Sequence, residues 1–138
     1  MLKKITVFLM CILLLSSTFF INKTPIFNAY ASNFELYLNS PTSNALFVRA
    51  DALSYPFYKN IYGECFKISS SDFDVENFLK DFSATIILEE QVEHGVSYYA
   101  YSNQIKYRTV LFNKLINLHV FVSKNSVTVG SPLILGSF

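Results

Sequence analysis

Ser71-Asp72-Phe73-Asp74-Val75-Glu76-Asn77-Phe78-Leu79-Lys80-Asp81-Phe82 is the one stretch beyond the first thirty residues with the period of a helix. Val75, Phe78, Leu79 and Phe82 stand at i, i+3, i+4 and i+7, one apolar stripe, with Asn77, Lys80 and Asp81 on the other side. Ser71, Asp72 and Asp74 offer capping oxygens, and Glu76 places negative charge near the first turn. The spacing predicts a helix of roughly three turns whose stripe must be buried against something.

That something is a sheet. Cys65 to Ser69 alternates, with Phe66 and Ile68 on one side. Downstream, Ala84–Val92 and Val96–Ser102 flank Glu93-His94-Gly95, a hairpin pattern with Gly at the turn. Asn103–Asn113 reads as a longer connection, and Leu115–Ser123 and Ser126–Gly130 bracket Lys124-Asn125, a second tight hairpin. Ser131-Pro132 interrupts, and Leu133-Ile134-Leu135 makes a last apolar contact before Gly136-Ser137-Phe138. The order from Cys65 is therefore β-α-β-β-β-β: an α+β domain, an antiparallel sheet of four or more strands with one helix on one face. Upstream, Phe34, Leu36 and Leu38 alternate in a short strand broken by Asn39-Ser40-Pro41. Ala45–Arg49 suggests another strand, and Tyr55, Phe57, Tyr58 and Tyr62 surround Pro56 in an aromatic loop.

The first thirty residues belong to a different class. Lys3 and Lys4 precede Ile5–Ile21, an apolar run without charge, and Ala29-Tyr30-Ala31 ends the segment with small-x-small spacing. This is the layout of a secretory signal peptide, with cleavage expected after Ala31. An uncleaved anchor is the alternative, and it is the one membrane attachment the sequence offers. Cys11 lies inside the apolar run, not at its end, which disfavours a lipoprotein box. Residues 1–31 are thus read as signal, 32–62 as an N-terminal strand and aromatic loop packed on the domain, and 63–138 as the α+β core. The expected location is extracytoplasmic, secreted or associated with the cell envelope.

Removing Lys3, Lys4 and Lys23 leaves eight basic residues against ten acidic ones, a net charge of −2. No field is then available for nucleic-acid phosphates. Cys65 alone remains in the exported part, so packing and not a disulfide must hold the domain.

One short helix covers one side of such a sheet, and alternation sorts the strands into two sets. Leu118, Val120, Val122, Val127 and Val129 should face the helix with Ala84, Ile86 and Leu88. The other parity carries Ile87, Glu89, Tyr99, Tyr101, Asn117, His119, Phe121 and Thr128. Rings mixed with hydrogen-bonding groups make a binding surface, and Tyr99, Tyr101, Asn117, His119 and Phe121 are the candidate binding residues. The competing reading folds the N-terminal strands or the loop near Pro56 over that face.

Phe78-Leu79-Lys80-Asp81-Phe82-Ser83-Ala84 and Ile116-Asn117-Leu118-His119-Val120-Phe121-Val122, continuing through Val127-Thr128-Val129-Gly130-Ser131-Pro132-Leu133-Ile134, resemble the C-terminal half of the YwmB-like family. These are exported bacterial proteins assigned a TATA-box-binding-protein-like fold. The resemblance spans roughly residues 63–134 and implies a strand-helix-four-strand repeat. It implies no reaction, and Ser32–Tyr62 is too short for the family's preceding half. The DNA binding that the fold name suggests conflicts with export and with the negative net charge.

Catalytic chemistry has little support. Cys65 with His94 or His119 lacks any context that would lower the thiol pKa, so Cys65 reads as a small core residue. Glu89, Glu90, Glu93 and His94 cluster at a hairpin but read as a solvated acidic turn and not a metal site. Gly95, Gly130 and Gly136 are isolated and form no phosphate-cradling loop, so no cofactor is expected. The function expected is non-enzymatic: a small envelope or secreted protein binding a protein or wall component through the aromatic face, with self-association as a variant. The alternative is an envelope-polymer hydrolase using Glu89, Glu90 or His119 as acid–base groups.

Overall fold

A computed structural model describes residues 1–21 and 23–136. An N-terminal helix, α1 (Leu2–Ile21), leads into an α+β domain. Side chains 2–16 of α1 are exposed. No helix among the described residues is long and apolar enough to cross a membrane.

Seven strands form one antiparallel sheet: β1 (Asn33–Leu38), β2 (Leu46–Asp51), β3 (Ile61–Ser69), β4 (Thr85–Val92), β5 (Gly95–Tyr101), β8 (Leu118–Ser123) and β9 (Ser126–Ser131). Their spatial order is β2-β1-β3-β9-β8-β5-β4. Two hairpin turns, at Glu93-His94 and Lys124-Asn125, lie where alternation stops in the sequence. Within the connection 102–117, β6 (Thr109–Leu111) and β7 (Lys114–Ile116) make a separate two-stranded ribbon that the sequence pattern does not reveal. The N-terminal strands extend the sheet beside β3 and do not fold over it.

Helix α2 (Val75–Asp81) starts where Asp74 caps it, the carboxylate accepting the Asn77 N–H at 3.0 Å. It is two turns long, shorter than the periodicity suggests, because the chain leaves the helix at Phe82 and Ser83 takes a positive φ of 48°. Phe78 and Leu79 are buried, and Val75 and Phe82 pack beside them. Phe66, Leu118, Val120, Val127 and Val129 meet this stripe from the sheet, with Val122 and Ala84 partly buried, as alternation predicts.

Seven residues of helix cannot cover seven strands, and three other segments complete the layer. A strap of residues 23–31 places Phe27 with ring centroids 5.2 Å from Phe66, 6.0 Å from Phe78 and 5.8 Å from Phe82. Tyr30 packs edge-on against Phe78 at 4.8 Å and donates a hydrogen bond to Asp81. The aromatic loop contributes a short 3-10 turn, Tyr55–Phe57, that buries Tyr55, and Ile105 closes the layer from the 102–117 connection. The strap lies inside the stretch that sequence pattern assigns to a leader ending at Ala31. In the fold, Phe27 and Tyr30 of this stretch pack into the core of the domain.

Candidate functional site

The face opposite α2 is assembled by strand pairing. Cross-strand partners share a face, so Tyr99 with His119, Ser97 with Phe121, His119 with Gly130, Gly130 with Cys65 and Cys65 with Glu35 define one continuous surface. Tyr37, Phe47, Arg49, Lys67 and Thr128 belong to the same surface.

This surface is not bare. Beyond the cis Ser131–Pro132 bond, the C-terminal segment Leu133–Gly136 lies back across it. The Ile134 N–H donates to His119 Nδ1 at 3.2 Å, and the Leu135 N–H to the Tyr37 hydroxyl at 3.2 Å. Ile134 and Leu135 pack against Tyr37, Ala45 and Cys65. Gly130 is needed beneath this tail, since a Cβ there would sit 2.7 Å from the Leu133 carbonyl oxygen and 2.9 Å from Ile134 Cγ1. His119 is 3% exposed and Phe121 5%, so two of the five candidate binding residues are covered. What lies over His119 is this C-terminal segment and not the N-terminal strands or the Pro56 loop.

Asn117 is a third correction. It is buried and fastens the turn after β5: Oδ1 accepts the Ser102 N–H at 2.8 Å, and Nδ2 donates to the carbonyls of Ser102 and Ile105. All three bonds are internal, which assigns the side chain a structural task.

Tyr99 and Tyr101 remain half-buried at the rim of the tail. The Tyr99 ring stacks on the His119 imidazole at 4.4 Å between centroids, and its hydroxyl donates to Glu90 Oε2 at 3.3 Å. Burial raises the Tyr99 phenol pKa. The Arg108 guanidinium lies over the Tyr101 ring at 5.9 Å. Behind them, His119 Nδ1 accepts a hydrogen bond, so the proton is on Nε2, 3.2 Å from Ser97 Oγ. Burial pushes the His119 pKa down to about 4, which keeps the ring neutral at ordinary pH.

The acid–base set of the alternative reading does not converge. An irregularity at Ile86–Leu88 shifts the register of β4, pairing Leu88 with Tyr99, Glu89 with Tyr98 and Glu90 with Ser97. Leu88 and Glu90 therefore share the His119 face, and Glu89, expected on that face, lies on the other. Cys65 is buried, its thiol pushed up to about 11 by burial, the opposite of what a nucleophile needs. Glu93 Oε1 and His94 Nε2 lie 3.7 Å apart in open solvent. Among the described residues, no group of three or more His, Cys, Asp or Glu is placed to hold a metal.

Two hollows flank the tail. One, of about 550 Å³, is lined by Glu35, Arg49, Cys65, Lys67 and Thr128 among others. The other, of about 520 Å³, has Phe121 in its wall with Lys67, Glu93 and His94, and Gly136 at its edge. No family model, curated protein or solved structure matches the chain.

The sequence reading passed over Glu64. Fully buried on the α2 face, its Oε1 accepts the Phe27 N–H at 3.0 Å. Oε2 has no hydrogen bond of normal geometry, although the Tyr55 hydroxyl is near enough to favour the carboxylate. Burial dominates and pushes the Glu64 pKa up to about 7. Parity carried the signal: Glu64 alternates with Phe66 and Ile68, which places an acid on the covered side.

Proposed function

We propose that this chain is an exported, non-enzymatic binding module of the cell envelope, and that it engages a protein or wall component through Tyr99 and Tyr101. The observation that carries the reading is the clamped Tyr99 ring, stacked on a buried neutral His119 and hydrogen-bonded to Glu90. Rings held this way lose little side-chain freedom on binding, and their faces suit sugar rings or apolar side chains. Arg108 and Glu90 supply charge of both signs at the rim. Export rests on the Lys3-Lys4 start and apolar run of the leader. The resemblance to YwmB-like proteins supports the same setting, through Phe78–Ala84 and the Val129-Gly130-Ser131-Pro132 step.

The test is co-sedimentation of the Tyr99→Ser/Tyr101→Ser variant with purified peptidoglycan sacculi, alongside chemical cross-linking in intact cells. Retention and cross-links should both fall at least about tenfold, the worth of two modest aromatic contacts. The thermal midpoint should move by only a few degrees. Unchanged retention and cross-linking would sink the assignment.

A further inference from the structure

Positive charge and uncovered apolar surface collect at one end of the domain. Residues 52–63 and 102–117 contain Lys59, Lys106, Arg108 and Lys114 and no Asp or Glu. All four cations are exposed, and none pairs with a carboxylate among the described residues. On the β6–β7 ribbon, Val110 pairs with Leu115, and both side chains face outward, Val110 at 64% exposure. Phe112 at the tip is 69% exposed. Phe112 and Asn113 adopt φ of 48° and 63°, a primed turn that favours Asn or Gly; an aromatic there is held in a sparsely populated conformation.

The leader emerges at this same end. Lys23 donates its ammonium to the Tyr58 carbonyl, next to Phe57, which is 74% exposed. The Tyr55 and Tyr107 hydroxyls, 3.4 Å apart, join that loop to the root of the ribbon. A leader helix with side chains 2–16 exposed, an apolar ribbon and cations without carboxylate partners among the described residues thus meet at one end.

We propose that this end docks on an anionic lipid bilayer, with Phe112, Val110 and Leu115 entering the headgroup region and Lys106, Arg108 and Lys114 meeting lipid phosphates. Amphipathic elements with apolar tips and basic flanks partition in this manner, each cation adding to the attraction. This surface shares Arg108 with the Tyr101 end of the proposed binding site, but its apolar tip, Phe112, Val110 and Leu115, is no part of that site, so Phe112→Ser tests the membrane assignment alone.

The experiment is amide hydrogen exchange on the full chain, reconstituted in phosphatidylglycerol-containing vesicles, in pure phosphatidylcholine vesicles and in detergent. The turn amides of Phe112 and Asn113 should exchange at least about tenfold more slowly in the anionic vesicles than in the other two conditions. The triple variant Lys106→Ser/Arg108→Ser/Lys114→Ser should lose that slowing. Continued protection of the Ser102 amide, bonded to Asn117 Oδ1, reports that the domain is still folded. Equal exchange in all three conditions overturns the proposal, as does equal slowing in both kinds of vesicle. Should the triple variant fail to fold, Phe112→Ser alone replaces it and is expected to abolish the slowing.

Discussion

A chain beginning at Ser32, the product of cleavage at the small-x-small signal, should lose most of its stability. Such a cut removes Phe27 from between Phe66, Phe78 and Phe82, and Tyr30 from the face of Phe78. Emptying a buried Phe site costs about 3–5 kcal/mol. Glu64 would also lose the Phe27 N–H that satisfies Oε1, a further ~1–3 kcal/mol. Neighbouring losses do not add strictly, but the total is about 5 kcal/mol or more, against a typical domain stability of about 5–15 kcal/mol. Urea titration followed by tyrosine fluorescence, comparing the full chain with the Ser32 chain and with Phe27→Ala, measures this. With a slope of about 1–3 kcal/mol per molar urea, the midpoint should drop by about 2 M or more in the Ser32 chain. The intact mass of the protein recovered from cells should correspondingly retain residues 25–31. A Ser32 chain that unfolds cooperatively within ~1 kcal/mol of the full chain would refute the strap's role, as would a protein recovered from cells that begins at Ser32.

Two further outcomes follow from the buried groups and the tail. The Glu64 pKa is raised from 4.5 to about 7, so the unfolded chain releases this proton first and stability falls as pH rises between those values. The His119 pKa is lowered from 6.5 to about 4, so stability instead falls as pH drops through that interval. Each effect is up to about 3 kcal/mol and they oppose one another. Glu64→Gln should therefore expose a stability that declines on acidification below pH 6.5, read by denaturant midpoints at several pH values; a profile parallel to wild type would contradict the assignment. Gly130→Ala should lift the tail, costing ~1–3 kcal/mol and speeding exchange of the Ile134 and Leu135 amides. Unaltered exchange there would mean the Leu133 carbonyl moves aside without loss.

Period-2 and period-3.6 patterns report which residues share a face, and that much of the fold is legible. The α2 stripe, both tight hairpins and the Leu118, Val120, Val122, Val127 and Val129 set all follow from spacing alone. Parity fails where the chain inserts a residue, and the irregularity at Ile86–Leu88 turns Leu88 and Glu89 onto the faces opposite to those expected. Spacing is also silent about which segment lies over a face. Leu133-Ile134-Leu135 is too short for periodicity, so its cover over His119 has no local signal. The strap is hidden for another reason: Pro25–Ala31 has a composition that suits both a cleavage region and an apolar plug, and the plug is visible only once Phe66 and Phe78 are placed.

The two segments flanking the sheet are fastened by one device. Each donates a backbone N–H that no ladder satisfies to a buried side-chain acceptor, Phe27 to Glu64 on one face and Ile134 to His119 on the other. A single hydrogen bond to such an acceptor is worth about 1 kcal/mol net, far less than a paired strand contributes. The tail is therefore the part of the domain able to open without unfolding the sheet, whereas the strap is also held by Phe27 in the core. Both acceptors titrate, so the grip on each face depends on proton occupancy: protonating His119 removes the lone pair that holds Ile134, while ionising Glu64 places an incompletely paired charge beside Phe27. The strap thus loosens as pH rises and the tail as it falls, and the Tyr99 site, which stacks directly on His119, shares the tail's dependence.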